Sequence, residues 1–152
     1  IAKILRFEAK AREIISTQLI DVVTALGGGD IKPASRAMLI LNFVDNQPIV
    51  AGSDTSGDGI LRMSGAENIF SKVDGWKPLS RELLMVAQPD HIVMTKRALK
   101  TIGGINGMLT DPLLAAIPAV KEGNIHAFEG MELLGFGLKT LEVALTLKRN
   151  LE

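Results

Sequence analysis

The sequence predicts an α/β domain, a three-layer α/β/α lobe around a mainly parallel sheet of about four strands, preceded by one long helix. Three observations carry that expectation. Short apolar runs alternate with stretches of helical periodicity through the last three-quarters of the chain. An apolar stripe at steps of three and four fills the first 26 residues and stops at three glycines. The 152 residues are 47% hydrophobic, which suits a single domain with its own core.

Each element follows from its local pattern. Ile1, Ile4, Leu5, Ala11, Ile15, Leu19, Val22, Val23 and Leu26 share one face of a helix. Gly27-Gly28-Gly29 ends it, because glycine adopts the left-handed turn of a helix stop without strain. Asp30 to Ser35, with Pro33, reads as a linker. Ala37 to Phe43 is apolar without alternation, the mark of a strand buried on both faces. Pro48 to Ala51 reads as a short extended piece. Ser53 to Ser64 reads as a helix with Asp54 or Thr55 as N-cap. Glu67 to Phe70 suits an edge strand. Leu79 to Ala87 is a helix led in by Pro78, and His91 to Thr95 a second buried strand. Thr110 to Val120 holds helical turns broken by Pro112 and Pro118. Ile125 to Phe128 is a third strand, and Leu138 to Arg149 a closing amphipathic helix. Strands separated by helices imply a Rossmann-like parallel sheet, whose ligands bind beyond the carboxyl ends of the strands.

Composition removes several classes of function. Seventeen basic residues balance seventeen acidic ones, so there is no general cationic face for nucleic acid. Without cysteine the chain has no disulfide, thiolate metal site or cysteine nucleophile. No apolar run reaches the length of a membrane span. There is no dinucleotide glycine fingerprint, Walker loop or Gly-x-Ser-x-Gly elbow. His91 and His126 stand far apart in sequence with no partner at metal-ligand spacing, so a plain strand-entry role is expected and no metal site is predicted.

Three segments after predicted strands carry the candidate binding chemistry. Asn42 to Asp58 contains small residues and Asp54-Thr55, where backbone N–H groups at a helix start suit an anionic group; an ordinary capping turn pairing Thr55 with Asp58 suits them equally. Lys96 and Arg97 place two cations past a strand end, suited to a carboxylate or simply to solvent. Glu129 to Gly137 is unusually apolar for a loop. Met131, Leu133 and Leu134 there would cover a flat apolar ligand, or pack on the last helix. Met131 offers a thioether for iron, though methionine more often fills gaps.

These segments also carry a resemblance. Ala51-Gly52-Ser53-Asp54-Thr55-Ser56-Gly57-Asp58 is similar to the A-G-x-D-T-x-x-D stretch of bacterial haem-uptake binding proteins. Lys77-Pro78-Leu79-Ser80 resembles their Y/W-K-P-L-[ST]. Pro89 to Leu99 resembles P-D-x-[IV]-[LIV]-x-T-x-R-G-L, and Ile102 to Leu109 the L-G-G-[IV]-D-G-L-L that follows. Leu134-Gly135-Phe136-Gly137 matches L-G-F-G. The five stretches occur in order between about Arg36 and Leu151, and the first helix fits the rigid interlobe helix of that family.

The resemblance implies a non-enzymatic, haem-binding component of an ABC-type importer, in the periplasm or as a lipoprotein on a Gram-positive cell surface. Such proteins have two lobes joined by a helix and hold haem in the cleft between them. On that pattern residues 1–29 are the C-terminal part of the interlobe helix, residues 30–152 the second lobe, and the first lobe lies outside this chain. Arg97, with Lys96, and the backbone N–H groups of the helix start at Asp54-Thr55 would take the propionates. The usual iron-holding tyrosine comes from the first lobe, and this chain has no tyrosine. Where some members add a histidine the chain has Asn42 and Phe43, so no axial ligand is implied from this half. Glu82 falls where the family places a glutamate that docks on the permease, and a first-turn carboxylate also stabilises its helix. Leu79, Leu83 and Val86 read as that helix's buried stripe. Self-association through Ile1 to Leu19 would cover the apolar face of the first helix. The nearest alternative is the same fold carrying a siderophore or corrinoid. A metal-handling α/β enzyme and a pure interaction module stand further off.

Overall fold

The computed structural model describes residues 35–135, 137 and 139–151. The long first helix, the linker and the self-associating face expected there lie outside these residues.

The sheet is built on β1 (Arg36–Val44). Ala37, Met38, Leu39 and Ile40 are all fully buried, which explains an apolar run without alternation. On one side β1 pairs in parallel with β5 (His91–Thr95), and β5 with β6 (Ile125–Phe128). On the other side β2 (Gln47–Ala51) returns antiparallel, and β4 (Trp76–Pro78) pairs antiparallel with β2. The short β3 (Glu67–Asn68) pairs in parallel with the start of β1. The order is β4-β2-β1-β5-β6, with β3 off this path.

The predicted architecture holds, but the sheet has six strands instead of about four, and its β2–β4 side is antiparallel to its neighbours. The difference comes from a tight hairpin. Asp45 and Asn46 have φ of 48° and 64°, the left-handed pair that lets a two-residue turn follow the strand twist. That turn makes one hairpin of what read as a strand, a loop and an extended piece.

Helices cover both faces. One face carries α1 (Ser56–Met63), α6 (Gly130–Leu134) and α7 (Thr140–Leu151). Ile60, Leu61, Leu133, Val143 and Leu147 from these helices pack with Leu39 and Val93 of the sheet. The other face carries α2 (Arg81–Ala87), α3 (Lys96–Thr101), α4 (Gly104–Thr110) and α5 (Pro118–Lys121). Leu84, Ala98, Met108 and Val120 pack there with Met38, Ile40, Ile92 and Met94. Alternate residues of β1 and β5 thus feed two separate cores, as a pleated strand requires.

Helix α2 corrects one expectation. Leu84 is fully buried, while Leu83 is 56% and Val86 71% exposed. The periodicity fits both phases, and a helix of seven residues is too short for its sequence to choose between them. Ser80 fixes the start instead, its hydroxyl accepting from the Leu83 backbone N–H at 3.2 Å.

Candidate functional site

The carboxyl ends of β1, β5 and β6 open onto a pocket of about 410 Å³. Leu41 and Asn42 line it from β1, Thr95 and Arg97 from the junction of β5 with α3, and Glu129, Gly130 and Met131 from the junction of β6 with α6. The topology places it there, because all three parallel strands run toward the same end of the sheet.

Thr95 organises the wall that carries Arg97. Its hydroxyl donates to the Leu41 carbonyl at 2.7 Å and accepts from the Ala98 N–H at 3.0 Å. One side chain thereby caps α3 and ties it to β1. The segment read as a loop with two cations is the first turn of a helix. Its Arg97 side chain is exposed and borders the pocket. Lys96 instead pairs with Glu129 at 3.0 Å, joining the ends of β5 and β6, with both side chains 59% exposed. Exposed pairs of this kind contribute little stability. Here the pair sets the charge at the rim, leaving Arg97 as the lining cation and Glu129 as the lining carboxylate.

Among the apolar candidates, Met131 is 82% exposed and lines the pocket. Leu133 is fully buried in the core beneath α6 and presents nothing to a ligand in this structure. Leu134 is half-buried and packs against the same core. Both positions match the packing alternative, because the short helix α6 turns one side of the apolar segment toward the pocket and the other toward the core.

Asp54 and Thr55 do not line the pocket. The Thr55 hydroxyl donates to the Gly52 carbonyl at 2.7 Å and accepts from the Asp58 N–H at 3.0 Å, so it acts as the N-cap of α1. Asp54 is exposed in a left-handed turn with φ of 57°. These contacts are those of the capping-turn alternative.

The structure adds Asn42, which sequence reasoning considered only as a poor iron ligand. It lines the pocket, and its Oδ1 is buried without a hydrogen-bond partner. Buried polar atoms rarely go unmatched.

The structure also unites the two histidines. Parallel pairing sets His126 beside Val93, and His91 Nδ1 lies 3.0 Å from His126 Nε2. Burial pushes both imidazoles below their ordinary value; Asp90 and Glu122 partly oppose this at His91, and the neighbouring His91 adds to it at His126. Sequence separation hid this pair, which only the β5–β6 register reveals. Among the described residues no three His, Cys, Asp or Glu side chains group to hold a metal ion.

Glu82 is exposed on the first turn of α2. Hydrogen bonds from its own backbone and Ser80 hold its carboxyl below the usual carboxylate range.

A family model described as periplasmic binding protein matches residues 1–129. Among solved structures, the periplasmic heme-binding protein BhuT, in complex with two hemes, matches with a TM-score of 0.81 and 28% identity, over 99% of this chain and 58% of that one. The heme-binding protein HutB of Vibrio cholerae matches with a TM-score of 0.78 and 32% identity, over 98% of this chain and 59% of that one. The vitamin B12 binding protein BtuF of Vibrio cholerae shares the fold at 20% identity and a TM-score of 0.74, over 96% of this chain and 54% of that one. The chain therefore spans less than two thirds of the length of each. A search of the curated proteins finds no match.

Proposed function

The chain belongs to the periplasmic binding protein family, whose members are solute-binding proteins, and from that premise we propose that it is one half of a haem-binding cleft serving an ABC importer. The observation that carries this reading is the pocket at the strand ends, where the Arg97 guanidinium and the Met131 side chain border the same space. Haem presents carboxylates and a wide apolar face. A guanidinium grips a carboxylate through two parallel hydrogen bonds, and a thioether side chain covers an aromatic macrocycle. BhuT and HutB, described as heme-binding proteins and 28% and 32% identical, support this ligand class. Haem is cargo here, carried in the periplasm or at a cell surface and handed unchanged to a permease. Glu82 is assigned to that encounter as an exposed carboxylate.

The lobe offers one wall of the cleft, so the test requires the full-length protein. Absorption titrations with haem and, separately, with a corrinoid distinguish the ligand classes that share this fold. Saturable stoichiometric haem binding with little corrinoid binding is expected. Preference for the corrinoid would overturn the haem assignment while leaving the fold and the binding role in place.

A further inference from the structure

Parallel strand pairing brings together two imidazoles that the sequence holds 35 residues apart. Val93 is the register partner of His126, so His91, two residues before Val93 on the same face of β5, is the diagonal neighbour of His126. Val93 and Phe128 mark that face as the one covered by α1, α6 and α7. Two ring nitrogens, His91 Nδ1 and His126 Nε2, face each other at 3.0 Å, with the ring planes inclined at 23°. The pair sits at the entry of β5, whereas Thr95 at the exit of that strand lines the ligand pocket. The length of β5, about 13 Å, separates the two places.

The backbone beneath the rings is tied down. The Ile92 N–H donates to the Asn124 carbonyl at 3.0 Å, and Asn124 Nδ2 donates to the Asp90 carbonyl and to Glu122 Oε2, each at 3.2 Å. Asp90 Oδ2 accepts from the Arg36 N–H at 3.0 Å, which adds the start of β1 to the network. The charges that act on His91 are the carboxylates of Asp90 and Glu122. His91 is buried and His126 half-buried, so solvent reaches the pair on the His126 side.

Each neutral imidazole has one N–H and one lone pair. Two of them facing each other share one hydrogen bond, one nitrogen donating and the other accepting. A metal ion can replace that bond with no net loss of a proton: the hydrogen moves to the outer nitrogen of the same ring, and both facing nitrogens give lone pairs to the ion. The spacing selects the geometry. With metal–nitrogen bonds of about 2.0–2.1 Å, nitrogens 3.0 Å apart subtend about 90–100° at the ion, whereas a tetrahedral site requires about 3.3 Å between them. Nitrogen ligands at right angles suit tetragonal copper(II) and nickel(II), and copper(II) stands highest in the affinity order of the divalent ions.

We infer that His91 and His126 form a bidentate site for a tetragonal divalent transition-metal ion, copper(II) foremost, at the end of the sheet opposite the ligand pocket. The two imidazoles take adjacent positions in the coordination plane. Water fills the others, since among the described residues no third His, Cys, Asp or Glu joins the pair. Asp90 and Glu122 add a negative field from outside the coordination shell. The bound ion bridges β5 and β6, and this holds whatever cargo the lobe carries.

The experiment uses the full-length protein, tag-free and without haem, in equilibrium dialysis against Cu2+ in a weakly coordinating buffer, with pulsed EPR counting the imidazoles on the bound ion. Wild type should hold one Cu2+ per chain through two imidazoles. His91→Asn and His126→Asn should each weaken that binding at least tenfold and lower the count to one. Ni2+ should displace the copper at lower concentration than Zn2+ does, and the reverse order would overturn the right-angle geometry. A wild-type count of one imidazole or none would overturn the site, however the variants fold. Equal copper binding by wild type and both variants would place the copper on adventitious groups elsewhere and overturn it as well.

Discussion

The two sides of β1 differ in how they are built and in what they present. On one side, β5 and β6 are parallel strands reached through helices, and β5 is buried at all five positions. On the other, β2 and β4 are antiparallel, the outermost strand Trp76–Pro78 is largely exposed, and the connecting helix α2 buries only Leu84. The first side supplies Arg97, Glu129 and Met131 to the pocket at the strand ends; the second leaves Leu83 and Val86 exposed on the helix that carries Glu82. Double-faced burial produces a rigid wall that can hold side chains at strand ends. The single-faced edge leaves aliphatic side chains uncovered.

The largest expected effect separates these sides by stability. Ile92→Ala removes a fully buried side chain from β5 and should cost about 2–5 kcal/mol, as large-to-small changes do in close-packed cores. Leu83→Ala, on the exposed face of α2, should stay within about 0.5 kcal/mol. Urea denaturation of both variants checks the contrast, and equal losses would break it.

The same contrast explains what was legible in the sequence. His91–Thr95 and Ile125–Phe128 are strands with the bounds expected, because continuous apolar runs between helices permit little else. The hairpin is hidden in the sequence because Asp45-Asn46 lacks the glycine that usually marks a two-residue turn, although both residues adopt the left-handed region. Helix α3 looks like a loop in the sequence, although Thr95 caps it, because six residues are too few to show helical periodicity. Arg97 and Met131 line the pocket, and their places just after strand ends are visible in the sequence. The burial of Leu133 is not, because the phase of a five-residue helix decides which side chain meets the core. Asn42 and the histidine pair depend on strand register, which no local pattern encodes.

A smaller effect sharpens the β5–β6 side. Burial lowers the pKa of His91 and His126 from the ordinary 6.5 at which the unfolded chain takes up protons. Below that pH the unfolded state binds more protons, so stability should fall as pH drops from about 6.5 downward. The loss should be well below that of Ile92→Ala. Thermal melts at neutral and mildly acidic pH measure it, and His126→Asn should flatten the dependence. An unchanged slope in that variant would remove the pair from the account.

The claim that β5 and β6 end in a ligand wall is tested most directly by haem titration of full-length wild type and Arg97→Ala. Loss of a charge-assisted hydrogen bond to a propionate should cost about 1–3 kcal/mol, a weakening of roughly 5- to 150-fold, with the haem absorption spectrum little changed. Affinity equal to wild type would make Arg97 a surface charge and contradict the assignment of this pocket.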